Sequence, residues 1–419
     1  MDQMPFDDLE TRPPAAREAA LFDGLGRRLA LAARDAPGLG RHLEGHELER
    51  IDSREALAEL PLLTKGDLVE AQRERPPLGG FLRGNALPGP RLFASPGPVW
   101  EPQPSGTDPW HGARALHAAG FRAGDVVHNA FSYHGTPGGW ILDEAACALG
   151  CTVFPAGTGD TASQVEALRH TRAVGYTGTP DYLATLLDHA AGDGGAPLDH
   201  LARAMVSGGA LFPALRERYA AAGILCMQCY ATADLGVIAY ESRTDGTVHP
   251  GLTVNEGLIL EICRPGTGEP APHGEVGEIV VTRLDTDYPL VRFATGDLSR
   301  LLEGPSPCGR TGPRIAGWLG RADQRTKVRG MFVDPRQVQA IRTGEPRIEA
   351  LRLLVEREGD RDVMTLEVRA PALADEPGAV DALEAALKRH AKLSGRARLV
   401  DAIPDDGTVI RDLRDYDRA

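Results

Sequence analysis

The chain has 419 residues, 42% hydrophobic and 25% charged, and its 46 Lys and Arg against 59 Asp and Glu give a formal net charge of −13. Single hydrophobic cores stop growing near roughly 250–300 residues, so this length predicts at least two domains, and the composition excludes a disordered or membrane-embedded chain. The acidic balance, with no Lys/Arg run interleaved with aromatics, argues against nucleic acid as a partner.

The opening MDQMPFDDLETRPP is acidic and lacks an apolar stretch, so the sequence predicts neither a secretory nor a transit peptide. No segment approaches the roughly 20 apolar residues of a membrane span. A cytoplasmic location without a membrane partner is expected. The six cysteines, Cys147, Cys151, Cys226, Cys229, Cys263 and Cys308, sit in apolar surroundings and are expected to be buried free thiols.

Residues 1–80 form a predicted helical region. The stretch AALFDGLGRRLALAA has helical apolar spacing, Leu60-Pro61 breaks it, and Thr64-Lys65-Gly66-Asp67 starts a new helix. A Pro/Gly-rich segment follows at 84–109. From about 112, amphipathic helices alternate with short apolar runs (ARALHAAG then DVVHNAF, WILDEAACALG then TVFPAG, ALRERYAAAG then ILCMQCY), which predicts a parallel sheet covered on both faces. Between 236 and 320, runs such as LILEIC and EIVVTRL separated by turns predict antiparallel strands or a small barrel. After Arg321-Ala322-Asp323, strands and helices alternate over about a hundred residues. The predicted fold class is therefore α/β: a large domain over 1–322, of mixed and parallel sheets with covering helices and a barrel-like β region at 236–320, then a small α+β domain over 323–419.

The most specific run is Tyr288-Pro289-Leu290-Val291-Arg292-Phe293-Ala294-Thr295-Gly296-Asp297, followed by Pro307-Cys308-Gly309-Arg310-Thr311 and Gly320-Arg321-Ala322-Asp323. A carboxylate on a Gly-Asp turn can accept two ribose hydroxyls. Singly, Thr-Gly-Asp is a turn and Gly-Arg-x-Asp a surface loop; their order and spacing make the motif. Upstream, Cys229-Tyr230-Ala231-Thr232-Ala233-Asp234 offers an aromatic ring, a hydroxyl and a hard oxygen ligand, or a buried Tyr beside a helix-capping Asp. Ser207-Gly208-Gly209-Ala210 follows an apolar run, a turn whose bare backbone can lie against a flat ring. Phe131-Ser132-Tyr133-His134-Gly135-Thr136-Pro137-Gly138-Gly139-Trp140 and Tyr176-Thr177-Gly178-Thr179-Pro180 combine aromatics with glycines, as an apolar slot or ordinary core aromatics around a loop would.

Together these segments resemble the phenylacetate-CoA ligase branch of the adenylate-forming acyl-CoA synthetases, from about Leu60 to near the C-terminus. The resemblance implies an ATP-dependent, AMP-forming ligase that joins a small carboxylic acid, aryl or related, to CoA through an acyl-adenylate. ATP, Mg2+ and CoA are the implied cofactors, and a homodimer is compatible with it. It makes Asp297 the ribose acceptor, Arg321 a nucleotide contact, Asp323 the hinge of a mobile small domain, and Lys327-Val328-Arg329-Gly330 the segment used for thioester formation. Tyr230 and Ala231 then border the adenine with Gly208, Gly209 and Ala210, Thr232 meets a phosphate, and Asp234 helps hold Mg2+. Phe131, Tyr133, His134, Gly138 and Thr179 are the implied acyl-group residues.

Three places depart from the family. Its Ser/Thr/Gly-rich phosphate loop ends in Gly-Lys-Pro, whereas Phe93-Ala94-Ser95-Pro96-Gly97-Pro98-Val99-Trp100-Glu101-Pro102 has three prolines, which lack N–H donors, and an acid instead of the Lys. The C-terminal Lys that serves adenylation aligns with Thr408 in Pro404-Asp405-Asp406-Gly407-Thr408-Val409-Ile410, which leaves Lys327 as the expected stand-in, with Lys392 and Arg411 behind it. A zinc site of some relatives aligns with Ser242, His249, Ser306 and Cys308, where two hydroxyls replace thiolates, so no structural zinc is expected. Cys226 and Cys229 are expected to be core thiols, not ligands. These departures keep two alternatives open: an enzyme limited to a half-reaction or using another acceptor, and a nucleotide-binding pseudoenzyme. A positioned charge lowers a barrier by several kcal/mol, so Thr408→Lys is expected to raise acid-dependent pyrophosphate release by about two orders of magnitude. A coupled pyrophosphate assay reads this; turnover by the native chain alone means another cation already serves.

Overall fold

The computed structural model describes residues 4–84, 87, 89–95, 99–192, 194–322, 324, 326–359, 361–374, 376–404 and 408–414. The chain divides into two compact units, Met1–Trp318 and Leu319–Ala419.

The helix–strand alternation after residue 112 becomes the parallel half of a nine-stranded sheet. Thr152–Phe154, Val126–Asn129, Gly175–Gly178, Arg203–Val206 and Leu225–Thr232 lie side by side in that order, all parallel. The sheet continues antiparallel through Gly236–Tyr240 and Leu252–Val254 to Arg314–Ile315 and Leu301–Leu302. The helices Gly138–Ala148, Thr161–Thr171, Pro180–Gly192 and Pro213–Ala221 connect the parallel strands. The strand Gly175–Gly178 is buried throughout, as burial on both faces requires. Because these strands are parallel, the loops after them gather at one edge, where open α/β sheets place ligands.

The β-rich stretch predicted at 236–320 is shared between two sheets. Part completes the nine-stranded sheet; Ile259–Cys263, Gly277–Arg283 and Leu290–Ser299 form an antiparallel run with Leu63–Thr64 added parallel to the last strand. In this order Leu63–Thr64 and Ile259–Cys263 are the edge strands, so the sheet is open instead of a closed barrel among the described residues. The N-terminal region holds the helices Pro14–Phe22, Leu25–Asp35, Pro37–His42, Arg54–Ala58 and Lys65–Glu74. The last begins with a capping box in which Thr64 and Asp67 satisfy each other's backbone N–H groups.

Arg292 joins these parts. Its side chain is 1% exposed, its Nε and Nη2 hold Glu261 at 3.1 and 3.0 Å, and Nη1 donates to the carbonyls of Ala58 and Leu60 at 2.7 and 2.6 Å. Nη2 also reaches the Gly268 carbonyl at 2.6 Å. Burial, partly offset by the guanidinium, raises the Glu261 carboxyl above its ordinary range. The backbone of Arg292 has φ +47°, a left-handed conformation that costs an L-residue about 1–2 kcal/mol.

In the second unit, Arg361–Arg369 and Ala350–Glu358 pair antiparallel, with Arg396–Leu399 and Ile410–Asp412 parallel at the edges. The helices Pro335–Gly344 and Ala379–Ala391 contribute Val338, Ile341, Leu383 and Leu387 to a core with Leu353, Val355 and Leu366. Asp334 and Gln337 form a second capping box.

All six cysteines are free. Four are buried as expected, but Cys147 is exposed, on a helix above the sheet edge, and Cys308 is half-buried. Burial raises the Cys229 thiol to about 12 and Cys226 higher still. Removing a buried charge partner is strongly destabilising, so Arg292→Met, which strands Glu261, is expected to lower the stability of the large unit by about 3–5 kcal/mol. Urea unfolding checks this, and Arg292→Lys, keeping the charge but not the fork, should fall between.

Candidate active site

The parallel-strand edge gathers most of the predicted residues of the first unit. Leu225–Thr232 turns into Gly236–Tyr240 through Ala233, Asp234 and Leu235. Gly236 has φ +78°, and a Cβ there would lie 2.5 Å from the Trp110 carbonyl, so glycine is required for this tight return. Thr232 Oγ1 accepts the Leu235 N–H at 3.2 Å. The turn carries the Asp234 side chain, which is wholly buried.

Tyr230 Oη donates to Asp297 Oδ2 at 2.7 Å, and Trp318 Nε1 donates to Oδ1 at 2.9 Å. Asp297 reaches this position through a bulge: the pairing shifts between Glu278 and Val280, Gly296 takes φ +74°, and its N–H donates to Glu278 Oε1 at 2.9 Å. A bulge re-aims a side chain that a regular ladder would point elsewhere. Trp318 is a member of the site that the sequence motif did not flag; its place just before Gly320-Arg321 was the available signal.

Two further residues, outside the predicted site, complete a charged cluster. Lys65, in the first turn of Lys65–Glu74, places Nζ 3.0 Å from Asp234 Oδ2. Glu101, 3% exposed, accepts from Ser95 Oγ at 2.9 Å and faces Asp234. Its strand Val99–Pro102 pairs with Leu92–Ser95 and is clamped by Gln72, which bonds both the N–H and the carbonyl of Trp100 at 2.8 Å. Burial, reinforced by the charge of Asp234 and opposed by Lys65, raises the Glu101 carboxyl well above its ordinary range. Asp234 Oδ1 and Glu101 Oε2 are buried without a donor, because two carboxylate oxygens bond each other only through a shared proton. Pro96, Gly97 and Pro98, the centre of the altered phosphate loop, lie outside the described residues.

After Arg203–Val206, Ser207 Oγ donates to the Cys229 carbonyl at 2.9 Å, and Gly208, at φ +72°, Gly209 and Ala210 form the following turn. After Val126–Asn129 comes the aromatic loop. Tyr133 Oη donates to Asp143 at 2.6 Å and accepts from Asn129 at 2.7 Å, and its ring meets Trp140 edge-on at 5.0 Å. Gly139 packs so closely that an added Cβ would lie 2.8 Å from the Ser132 carbonyl and 3.0 Å from Tyr133 Cδ2. The Ala94 N–H donates to the Gly135 carbonyl at 2.7 Å, tying the phosphate-loop hairpin to this loop. Phe131 and Gly138 are half-buried and His134 is exposed. Thr179 precedes the helix Pro180–Gly192, and Tyr176 Oη donates to its carbonyl at 3.2 Å.

The remaining predicted residues belong to the second unit. Thr326–Val328 and Met331–Val333 form a hairpin whose turn, Arg329-Gly330, has φ +48° and +83°, the two positive values of a type I′ turn. Lys327 Nζ lies 5.8 Å from the Phe332 ring centre. Arg321 is half-buried, and Asp323, the expected hinge, lies outside the described residues. The Thr408 carbonyl accepts from the buried Arg352 at 3.1 Å, and Asp405, Asp406 and Gly407 lie outside the described residues. Lys392 and Arg411 are exposed.

Three of the four zinc-aligned positions meet: Ser242 Oγ and Ser306 Oγ are 3.0 Å apart, and Ser306 Oγ is 3.0 Å from Cys308 Sγ. His249 instead bonds Thr244 Oγ1 at 2.8 Å. Hydroxyls do not supply the thiolate set that zinc prefers. Among the described residues, no group of three or more His, Cys, Asp and Glu is placed to hold a metal ion, and no helix is long and apolar enough to cross a membrane.

The first unit thus holds a buried carboxylate bonded by a tyrosine and a tryptophan, and a Lys–Asp–Glu cluster, and residues 112–284 match the family model of the AMP-binding enzymes. The chain is 31% identical over 382 residues to the phenylacetate-coenzyme A ligase of Thermus thermophilus, covering 86% of this chain and 83% of that protein. It is also 31% identical over 336 residues to the same ligase of Aromatoleum evansii, covering 74% and 72%. The chain belongs to the phenylacetate-CoA ligase family. In fold it is similar to 2-hydroxyisobutyryl-CoA ligase in complex with 2-HIB-AMP and CoA, with a TM-score of 0.79 at 24% identity over 98% of this chain and 92% of that one.

A charge-assisted hydrogen bond is worth about 1.5–3 kcal/mol. Tyr230→Phe, which removes the bond to Asp297 and keeps the ring, is therefore expected to weaken AMP binding at least about tenfold. Isothermal titration calorimetry checks this, with thermal melting to show an unchanged fold.

Proposed function

We propose that this acid–thiol ligase activates a small carboxylic acid with ATP and passes the acyl group from the adenylate to CoA. The observation that carries this is the carboxylate of Asp297, held by Tyr230 and Trp318, with Lys65 and Asp234 reached from the same strand, Leu225–Thr232.

In this reading Asp297 accepts the ribose hydroxyls, and Tyr230 and Trp318 keep its oxygens aimed. The Gly208-Gly209-Ala210 turn and Tyr230 flank the adenine, and Thr232 receives the phosphates. Lys65 supplies the cation for the attack on the α-phosphate that Thr408 cannot supply, a role expected of Lys327 from the sequence. An ammonium in a site shielded from water stabilises developing phosphate charge far better than one in bulk solvent. Mg2+, when bound, would offset phosphate charge, and Asp234, a hard oxygen ligand with a wholly buried side chain, would help hold it. Arg321, Lys327, Arg329 and Gly330 of the second unit serve the thioester step, and Asp323 is the hinge. The aromatic loop, with Tyr133 braced by Asp143 and Trp140, supports an aryl or other compact acid as substrate.

A second reading is favoured by Glu101. An acid buried in the phosphate-loop hairpin works against triphosphate binding, as an enzyme confined to the thioester half-reaction or a nucleotide-binding pseudoenzyme would tolerate.

Pyrophosphate release from ATP and Mg2+ across a panel of aryl and short aliphatic acids, with and without CoA, separates the readings. The native chain is expected to turn over with at least one acid, and Lys65→Ala to lower kcat by about 10²-fold or more, the cost of losing one positioned charge. Silence across the panel, with CoA-dependent consumption of a supplied acyl-adenylate, establishes the half-reaction. Nucleotide binding with neither activity establishes the pseudoenzyme.

A further inference from the structure

We propose that Glu101 and Asp234 together form a two-carboxylate site for a divalent cation, with the Lys65 ammonium as the resident charge that the cation displaces. The inference rests on the nucleotide-site reading above and adds Glu101 as a ligand contributed by the phosphate-loop hairpin.

The two side chains come from separate parts of the first unit. Glu101 lies on Val99–Pro102 and Asp234 on the turn after Leu225–Thr232. Glu101 is 3% exposed and the Asp234 side chain is wholly buried, and the two carboxyls face each other closely enough to share a proton, while Glu101 Oε2 and Asp234 Oδ1 have no other donor. Buried polar atoms are nearly always satisfied, so these oxygens need either that proton or a cation. Once the proton is lost, two acceptor-only groups that face each other are best served by a cation between them. A further oxygen stands beside them: Ser95 Oγ bonds Glu101 Oε1 at 2.9 Å. Mg2+ and Mn2+ use one or two carboxylates, filling their remaining positions with water and phosphate oxygens, so a pair is a sufficient protein contribution.

Lys65 decides how the site behaves before the cation arrives. Its Nζ is 3.0 Å from Asp234 Oδ2, but its side chain is 33% exposed, on a flexible stem at the start of a helix. It can leave Asp234 without unfolding anything, and the ammonium that leaves is the one assigned to the phosphates. Cation entry and release of Lys65 to the nucleotide are then one event.

The test is Mn2+ binding to the whole chain, read by electron paramagnetic resonance of free Mn2+, first without nucleotide and then with ATP. Without nucleotide the native chain is expected to bind Mn2+, and Glu101→Gln and Asp234→Asn each to weaken it at least about tenfold. Lys65→Met is expected to strengthen it, a sign that a purely structural role for the cluster does not give. Glu101→Gln preserves shape and the Ser95 bond, and melting temperatures verify folding. Equal Mn2+ affinity in Glu101→Gln and the native chain, or no Mn2+ binding to the native chain alone, overturns the proposal. Because these readouts need neither acid nor turnover, Mn2+ binding by a chain silent in pyrophosphate release overturns the ligase reading and leaves this site standing.

Discussion

The first unit depends on the buried guanidinium of Arg292. It holds the carbonyls of Ala58 and Leu60 to Glu261, two strands away in the same sheet, and so fixes where the N-terminal helices meet the open sheet. That contact lets Leu63 and Thr64 pair with Phe293 and Ala294. Lys65 follows at once on a capped helix, and Asp297 follows three residues beyond Ala294 through a bulge. Two side chains of the candidate site, distant in sequence, thus take their positions from one register. A planar fork with five donors is what lets one residue do this, and a lysine cannot match it.

The Lys65–Asp234–Glu101 cluster is a second case of charge taken out of water. Lys65, Asp234 and Glu101 sit where an isolated ion would be costly, and their arrangement keeps the sum of charge low. The difference from Arg292 lies in satisfaction. Arg292 and Glu261 use their donors and acceptors on one another and on backbone, whereas Glu101 and Asp234 leave oxygens that no donor outside the pair reaches. A satisfied network rigidifies, and an unsatisfied one is poised for a ligand.

The departures from the family are absorbed locally. Glu101, in place of a lysine, is held by Ser95 and the Gln72 clamp on its strand. The positions aligned with the zinc site of some relatives form a Ser242–Ser306–Cys308 hydrogen-bonded run beside Arg310, which also reaches Glu10, 3.2 Å away. Glu10 in turn accepts from Tyr240, so polar bonds connect the N-terminal turn to the sheet there.

The sequence by itself determined the alternation of helices and parallel strands, the helical N-terminal region, the capped start at Thr64 and the family to which the chain belongs. Those features are written in local periodicity, capping residues and contiguous motifs such as Tyr288–Asp297. It also marked the segments that carry Tyr230, Asp234 and Asp297, through glycines and short polar residues near the turns. Only the tertiary structure decided that the β-rich stretch is divided between two sheets, that Cys147 is exposed, and that Trp318 holds Asp297. It likewise brought Lys65 and Glu101 to Asp234 across separations of more than a hundred residues. Contacts of that kind depend on strand register and on buried charge finding its partner, and neither leaves a periodic mark in the chain.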